Sequence, residues 1–568
     1  MTTLRNRLLR PLAPGLCALA LAGCGGERVG GDEGRGTVIV AVAADADFLL
    51  PDVIANLVGK QVVDQLFEPL AAPPATLNTI GDAGFEPRLA QRWEWARDSM
   101  SITFAIDPRA RWHDGVPVRA EDVRFSIELV KDPAVASRQA SGLAAVDSAS
   151  VKDSLTAVVW FSQRSPEQFF LLVNNLPVVP AHLLASIPRE KMRESEFARN
   201  PVGNGRFRFR RWVNGSLIEL VADTANFRGR PSIDRLVWSI SPDPTAMWGR
   251  LTTEEADVVE MLRGEAVSKV AASTSARTVP YHGLDFGLAL FNVRDSGNRR
   301  KMHRLFGDPS LRRALTLAVD RLAIVKNVFD TLAYASIGPV VRAQWTADTT
   351  IAMLPYDVTA AKALLDSLGW RIGAGRTVRE KGGRKLAFSI LAPSSSTPRR
   401  QASVLLQAQW KEVGADVSLE DMEFNTFIER ISSGKFDVMM HGLHNDPSPS
   451  DLRANFGTPP ASGDFGSNYG GYASPKVDAL LDSAAVEFDI AGSKALYQRA
   501  YHEIIADAAA IFLYEPKLVA GINRRIETGP LSAAGWWTTI ADWKIAPEKR
   551  IARDRIPLSA PDSVGVAH

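Results

Sequence analysis

Residues 101 to 130 read SITFAIDPRARWHDGVPVRAEDVRFSIELV, which holds a strand, a tight turn and the start of a helix. Ile102, Phe104 and Ile106 alternate with Ser101, Thr103 and Ala105, the period of a strand with one buried face. Asp107-Pro108 stops that strand. Asp114-Gly115 tolerates the positive φ of a two-residue hairpin turn, and Pro117 keeps the return segment extended and out of a central strand position. From Ala120 the period changes. Val123, Ile127 and Val130 share one helical face, and Glu121 and Asp122 place negative charge in the first turn, where the backbone dipole is positive. Pattern alone makes this a unit of an α/β domain.

Toward the N-terminus, residues 1 to 23 carry Arg5, Arg7 and Arg10, no acid, and an apolar run from Leu12 to Leu21. That is the form of a secretory signal peptide, too short in its apolar part to span a bilayer. Leu21-Ala22-Gly23-Cys24 is similar to the lipobox at which bacterial lipoproteins are cleaved and acylated. Lipidation is therefore expected at Cys24, with residues 24 to 36 a glycine-rich tether. The chain's only other cysteine, Cys17, lies inside the signal peptide, so the folded part has no thiol for catalysis or metal binding. Multiple acyl chains hold a membrane more firmly than one.

The 568 residues are 46% hydrophobic and 23% charged, as in soluble globular proteins. A chain this long exceeds one compact core, so two or more lobes are expected. Without the signal peptide 63 basic residues face 64 acidic ones. So even a balance gives no footprint for nucleic acid.

Further elements follow in order. Thr37 to Ala43 is a buried strand, and a helical pattern runs within Val53 to Leu70. Asn214-Gly215 between alternating stretches marks a hairpin. Phe286 to Asn292 is an apolar strand. Asp308 or Ser310 caps a helix whose buried stripe is Leu311, Leu315, Ala318 and Leu322, and Gly369 ends another. Leu386 to Leu391, Arg400 to Val413, Ala415 to Leu419 and Phe424 to Ser432 alternate strand and helix, which argues a mixed or parallel sheet with right-handed crossovers. Ile511 to Tyr514 is a returning strand.

Several of these segments together resemble the family 5 extracellular solute-binding proteins, the peptide, nickel and oligosaccharide receptors of bacterial ABC importers. The resemblance rests on Trp112-His113-Asp114-Gly115 with Ala120-Glu121-Asp122-Val123, on Pro180-Ala181-His182, on Pro201-Val202-Gly203-Asn204-Gly205, on Asp308 to Arg321, and on Tyr356-Asp357 to Leu365. Arg206 stands where the family's glycine turn has a proline. The resemblance spans Thr37 to Trp543 and implies an α/β, two-lobe periplasmic binding protein-like fold with mixed sheets, an extra subdomain and a ligand cleft between lobes. Residues 37 to 285 would form lobe I, with an inserted subdomain at about 76 to 200. Residues 286 to 509 would form lobe II, 510 to 546 would return to lobe I, and 547 to 568 would be a loose tail. Lobe closure on ligand follows from such a hinge.

The implied function is that of a non-enzymatic, monomeric receptor, at the periplasm or cell surface, that passes a small solute or oligopeptide to an ABC transporter permease and needs no cofactor. Within Phe436 to Pro449, Asp446 matches the family aspartate that binds a peptide's α-ammonium, a charge-assisted contact. Leu443 replaces the family tryptophan. His441, His444 and Asn445 lie beside it, and Asp47, Phe48 and Asn56 are placed at the cleft by resemblance alone. Asn-Asp-Pro-Ser is equally ordinary turn chemistry. His441, His444 and Asp446 offer imidazole and carboxylate that suit nickel or zinc, so a receptor for a metal or its chelate is the alternative. A secreted hydrolase is a second alternative, although no Gly-x-Ser-x-Gly elbow or Walker lysine occurs, and His502-Glu503 lacks the second histidine of a zinc-protease helix.

Overall fold

The computed structural model describes residues 34–460 and 465–558. The signal peptide, Cys24 and most of the tether lie outside the described residues. Twelve strands form one sheet through both lobes: β1 (Thr37–Val42), β2 (Phe207–Val213), β3 (Leu217–Ala222), β4 (Arg235–Ile240), β5 (Val258–Val259), β6 (Ala276–His282), β7 (Asp285–Phe291), β8 (Ala333–Ala335), β9 (Ala387–Pro393), β10 (Asp416–Met422), β11 (Val438–His444) and β12 (Ala510–Asn523). Their order is β10-β9-β11-β7-β12-β5-β1-β4-β3-β2, with β6 and β8 also paired to β12. β1 is parallel to β4 and β5, and β9 is parallel to β10 and β11. In lobe I, therefore, a parallel trio is flanked on both sides by antiparallel strands, whereas in lobe II the trio ends at the edge strand β10 and meets antiparallel β7 on its other side.

One long strand joins the lobes. β12 pairs through Lys517 to Asn523 with β6 in lobe I, and through Ala510 to Tyr514 with β7 in lobe II. The chain enters lobe II between His282 and Asp285 and leaves it between Tyr514 and Lys517. These two short crossings are the hinge. Lobe I has a main core containing Val40, Leu66, Phe104, Trp112, Trp238 and Trp536. Lobe II buries both faces of its sheet, one side around Phe291, Leu315 and Trp410, the other around Phe286, Tyr501 and Phe512. The hydrophobic runs of β7, β9 and β11 follow from this double coverage.

The segment at 101–130 is the keystone of lobe I. Ser101–Ile106 is an inner strand of a separate four-stranded antiparallel sheet, and the helix Ala120–Lys131 packs on it. The Asp122 carboxylate, 4% exposed, accepts the Arg119 N–H (2.8 Å), the Trp112 Nε1–H (3.2 Å) and the Ala181 N–H (2.9 Å). His113 receives the Gly203 N–H on Nδ1 (3.2 Å), so its Nε2–H donates to Gly205 O (3.0 Å). Asp114 binds His182 at 2.7 Å. Gly203 and Gly205 must be glycine because a Cβ on either would overlap the carbonyls of Leu66 and Gln65. The separate motifs at 112, 122, 182 and 203 are thus one packed knot.

The structure corrects three expectations. Asp114-Gly115 turns the chain, with the Gly115 N–H on Trp112 O, but only one isolated bridge, Arg111 to Pro117, closes it, so no hairpin of two full strands forms. The helix begun by Asp308 ends at Leu317, because the Asp320 side chain caps a new helix from Arg321, and Leu322 is 71% exposed. The tail from 547 is not loose as far as it is described. Asp554 is buried against Arg525 (2.7 Å) and accepts the Thr37 N–H (2.9 Å), while Arg553 meets the buried Asp257 (2.7 Å).

Candidate functional site

Ligands of open α/β sheets bind beyond the carboxyl ends of the strands. In lobe I those ends lead into the loop 43 to 56 after β1. In lobe II they lead into Ser394 to Thr397 after β9, Glu423 after β10, and Asn445 to Ser450 after β11. Both sets of loops flank the hinge.

The loop of lobe I is held by its own side chains. The Asp45 carboxylate accepts the Trp212 Nε1–H (2.9 Å) and the Gly215 N–H (2.7 Å), tying the loop to the β2–β3 hairpin. Asp47 accepts the Ala55 N–H at 2.6 Å. Asn56 caps the helix Leu57–Leu66 through Gly59 N–H (2.8 Å) and donates to Asp45 O (2.9 Å). Phe48 packs on the lobe I core. Asp47, Phe48 and Asn56, placed at the cleft by resemblance, help to build this loop, while the second Asp47 carboxylate oxygen, Oδ1, is buried with no hydrogen-bond partner among the described residues. A short polar residue in such a loop finds backbone partners within a few residues.

In lobe II, alternation along β11 decides which groups can meet. Met440, Gly442 and His444 share one face; Met439, His441 and Leu443 share the other. His441 is half-buried between the rings of Phe427 and Tyr469, with centroids at 6.5 and 5.6 Å, and its Nδ1 is buried with no hydrogen-bond partner among the described residues. Burial, aided by the Arg399 charge, lowers it to about 4, so the ring is neutral near pH 7. His444 lies outside and meets Asp285 at 3.1 Å. The Asp285 carboxylate raises it, with Asp446 and Asp451 adding to the effect. The two histidines thus point to opposite sides of the sheet, and among the described residues no three His, Cys, Asp or Glu side chains come together as a metal site. Three residues along a strand reverse the face, and this separates the trio His441, His444 and Asp446 read as possible metal ligands.

Asn445 is buried and structural. Its N–H donates to Leu284 O (2.8 Å) and its Nδ2 to Gln344 Oε1 (2.9 Å), which fastens the loop to the hinge. Leu443 is half-buried on the second lobe II core. Asp446 differs from its neighbours. Its backbone is held by the Gln344 side chain (3.0 Å) and the Asp451 carboxylate (3.2 Å), while its own carboxylate is exposed and has no partner among the described residues. With Asp285 and Asp451 it makes an acidic rim around His444. Asp451 is itself raised by burial and by the nearby Asp446 charge.

A cationic group that the sequence reading missed sits beside this rim. Gly442 faces Gly287 across the β11–β7 ladder, and Gly287 faces Tyr514 of β12. A Cβ on Gly442 would overlap the Arg399 guanidinium, and one on Gly287 would overlap the Tyr514 ring. The paired glycines therefore form a slot that seats Arg399, from the first turn of the helix Thr397–Glu412, beside Tyr514. Burial pushes the Tyr514 phenol up, and Arg399 pulls it the other way. Glycine within a strand marks close approach of another group, and that was the signal available at both positions. At the hinge itself, Glu515 is 1% exposed and grips Arg342, accepting its backbone N–H (3.0 Å) and its Nη1–H (2.5 Å).

Among the described residues no helix is long and apolar enough to cross a membrane. Comparison with known proteins bears on the cleft as a whole. The chain is 26% identical over 425 residues to the oligopeptide-binding protein AppA of Bacillus subtilis, covering 72% of this chain and 74% of that one. The solved structure of AppA in complex with a nonapeptide superposes with a TM-score of 0.70 at 22% identity, covering 90% of this chain and 99% of that one. NikZ from Campylobacter jejuni, in complex with Ni(L-His), has the same TM-score, identity and coverage. Residues 84–464 match the model of the bacterial extracellular solute-binding proteins, family 5 middle. This match covers well over half of the chain, which therefore belongs to the family 5 bacterial extracellular solute-binding proteins.

Proposed function

We propose that this protein captures an oligopeptide outside the cytoplasm by lobe closure and delivers it to an ABC permease, as a monomer held at the membrane through acylated Cys24. The observation that carries the reading is the unpartnered Asp446 carboxylate at the hinge side of lobe II, with Arg399 seated in the glycine slot nearby. A zwitterionic ligand needs one group of each sign, and a carboxylate facing an ammonium, or a guanidinium facing a carboxylate, forms a charge-assisted hydrogen bond. The name of AppA and the nonapeptide in its structure agree with that chemistry.

Because His441 and His444 face opposite sides of β11, a metal would have to arrive with ligands of its own. The Ni(L-His) bound by NikZ makes such a chelate the second reading. His113 offers little to a hydrolase, since both of its ring nitrogens are engaged by Gly203 and Gly205. Burial also lowers that ring to about 4, which makes it a poor base near neutral pH.

Thermal shift against peptide pools, N-acetylated peptide pools and nickel with and without free histidine tests the assignment. A ligand that binds the folded state raises Tm by mass action. Stabilisation by free peptides alone supports the peptide reading. Stabilisation by nickel with histidine alone replaces it with the chelate, and product formation from the peptides points to the hydrolase.

A further inference from the structure

The two lobes also meet away from the hinge. Glu167 precedes the helix Gln168–Asn175 in the 76 to 200 segment of lobe I and is 9% exposed. Its Oε1 accepts the Thr79 hydroxyl of the same lobe (2.5 Å), and its Oε2 accepts the Ser448 hydroxyl of lobe II (2.8 Å). Ser448 is in turn 2.6 Å from the Ser450 hydroxyl. Both serines belong to the loop that displays Asp446. Three residues before Glu167, the Arg164 guanidinium lies over the Phe488 ring of lobe II, 4.0 Å from its centroid. Residues 164 to 167 thus form a ledge on which lobe II rests.

We propose that Glu167 is a positioning residue for closure: by accepting Ser448 across the gap it fixes the loop that carries Asp446 and sets how readily the lobes shut. Its role for bound ligand rests on reading that loop as the ligand loop; its role in closing the lobes does not.

Thr79 stays with Glu167 when the lobes part, but Ser448 leaves, and water can then reach the carboxyl. The charged groups facing it in the closed form do not favour its ionisation. They are Asp451 at the start of the helix Asp451–Phe456 and, as a titratable phenol, Tyr497 of the helix Ile490–Ala506. Burial first, and the Asp451 charge with it, raise the Glu167 carboxyl, against the lowering by Thr79, Ser448 and Ser450. Closing therefore takes up a proton from solvent at pH values above the ordinary carboxylate range. A group whose pKa is higher in the closed form favours that form at low pH and loses the preference as pH rises through the raised value.

The full chain, free of ligand, tests this by pulsed electron spin resonance distances between labels at Lys152→Cys and Lys411→Cys, both exposed positions. The closed population should fall as pH rises from the ordinary carboxylate range through the raised Glu167 value. Ser448→Ala should shift the ratio about tenfold toward open, the worth of one hydrogen bond to a charged or buried partner. Glu167→Ala should do the same and add nothing in the double variant. Glu167→Gln, whose amide still accepts from Ser448, should stay closed and lose its share of the pH response. Wild-type distances in Ser448→Ala, or an unchanged pH response in Glu167→Gln, overturn the proposal. Ser448→Ala removes only one hydroxyl, which keeps the test valid should Glu167→Ala fail to fold. A failed peptide screen would leave these distances untouched, so the two assignments fail separately.

Discussion

Replacing Asp122 by alanine tests whether the Trp112 to Gly115 motif is structural. Three donors end on that carboxylate, from Trp112, Arg119 and Ala181, and it is 4% exposed. Each donor left unsatisfied in the interior costs about 1–3 kcal/mol. Arg119 and Ala181 are near enough to the surface for some rehydration, so the low end of that range applies to them and about 4 kcal/mol is expected in all. Urea unfolding followed by tryptophan fluorescence measures it, with the transition of lobe I resolved from that of lobe II should the two separate. Asp122→Asn should lose about half as much, because its carbonyl still accepts while its amide meets an N–H. The fraction that remains folded should bind ligand with wild-type affinity. Stability within about 1 kcal/mol of wild type, or normal stability with lost binding, would refute the keystone argument.

Asp446→Asn should weaken binding of a peptide with a free N-terminus by about tenfold, near 1.4 kcal/mol for an exposed charge-assisted contact, and leave N-acetylated peptide unaffected in titration calorimetry. Gly442→Ala displaces only the far end of the flexible Arg399 side chain, so it should lower affinity for peptides with a free carboxylate while Tm stays within a few degrees. Gly203→Ala, by contrast, meets the Leu66 backbone carbonyl and should yield unfolded or insoluble protein. Burial raises Asp52, which is 0% exposed, to about 7. The folded state then binds more protons than the unfolded chain between the ordinary carboxylate value and about 7, so this group's contribution falls as pH rises across that window. Asp52→Asn should therefore gain stability of the order of 4 kcal/mol at pH 8 and nearly nothing at pH 4, measured by denaturant titration at both values.

How far the fold could be read depended on how local its causes are. Strand alternation at Ile102, Phe104 and Ile106, the cap at Asp308, and the Asn214-Gly215 turn each have a physical cause within a few residues, and each lies in a matching element. The stripe through Leu322 fails for a similar reason one step removed. A helical period carries on through Ala318, yet Asp320 binds the Ala323 N–H (2.9 Å) and starts a new helix in a different direction. The packing of residues 547 to 558 was not legible. Its anchor is a buried charge cluster in which Asp554 meets Arg525, 29 positions earlier, and Thr37, 517 positions earlier. No sequence window contains that pair.

The site was legible only in part for a reason that also says what the site is. Polar residues in loops are usually bound inside the fold: Asp47 and Asn56 meet backbone a few residues away, while Asp45 reaches Trp212 and Gly215 and Asn445 reaches Gln344, so their residue types carry little information about ligands. What distinguishes Asp446 is the partner it lacks, and what distinguishes Arg399 is the pair of cross-strand glycines that make room for it. An unmet charge and a slot without side chains are properties of the assembled sheet. Neither would be kept for the stability of lobe II alone, since an exposed lone carboxylate adds little and two strand glycines weaken the ladder. Side chains at Gly442 and Gly287 would displace Arg399 and Tyr514, so the slot is kept for the guanidinium and the ring it seats. The same reasoning separates the cleft from the keystone of lobe I, where Asp122, His113 and Asp114 all end on partners inside the fold. A guest that stabilises the protein through Asp446 and Arg399 but is indifferent to conservative changes at His113 is the outcome this division of labour requires.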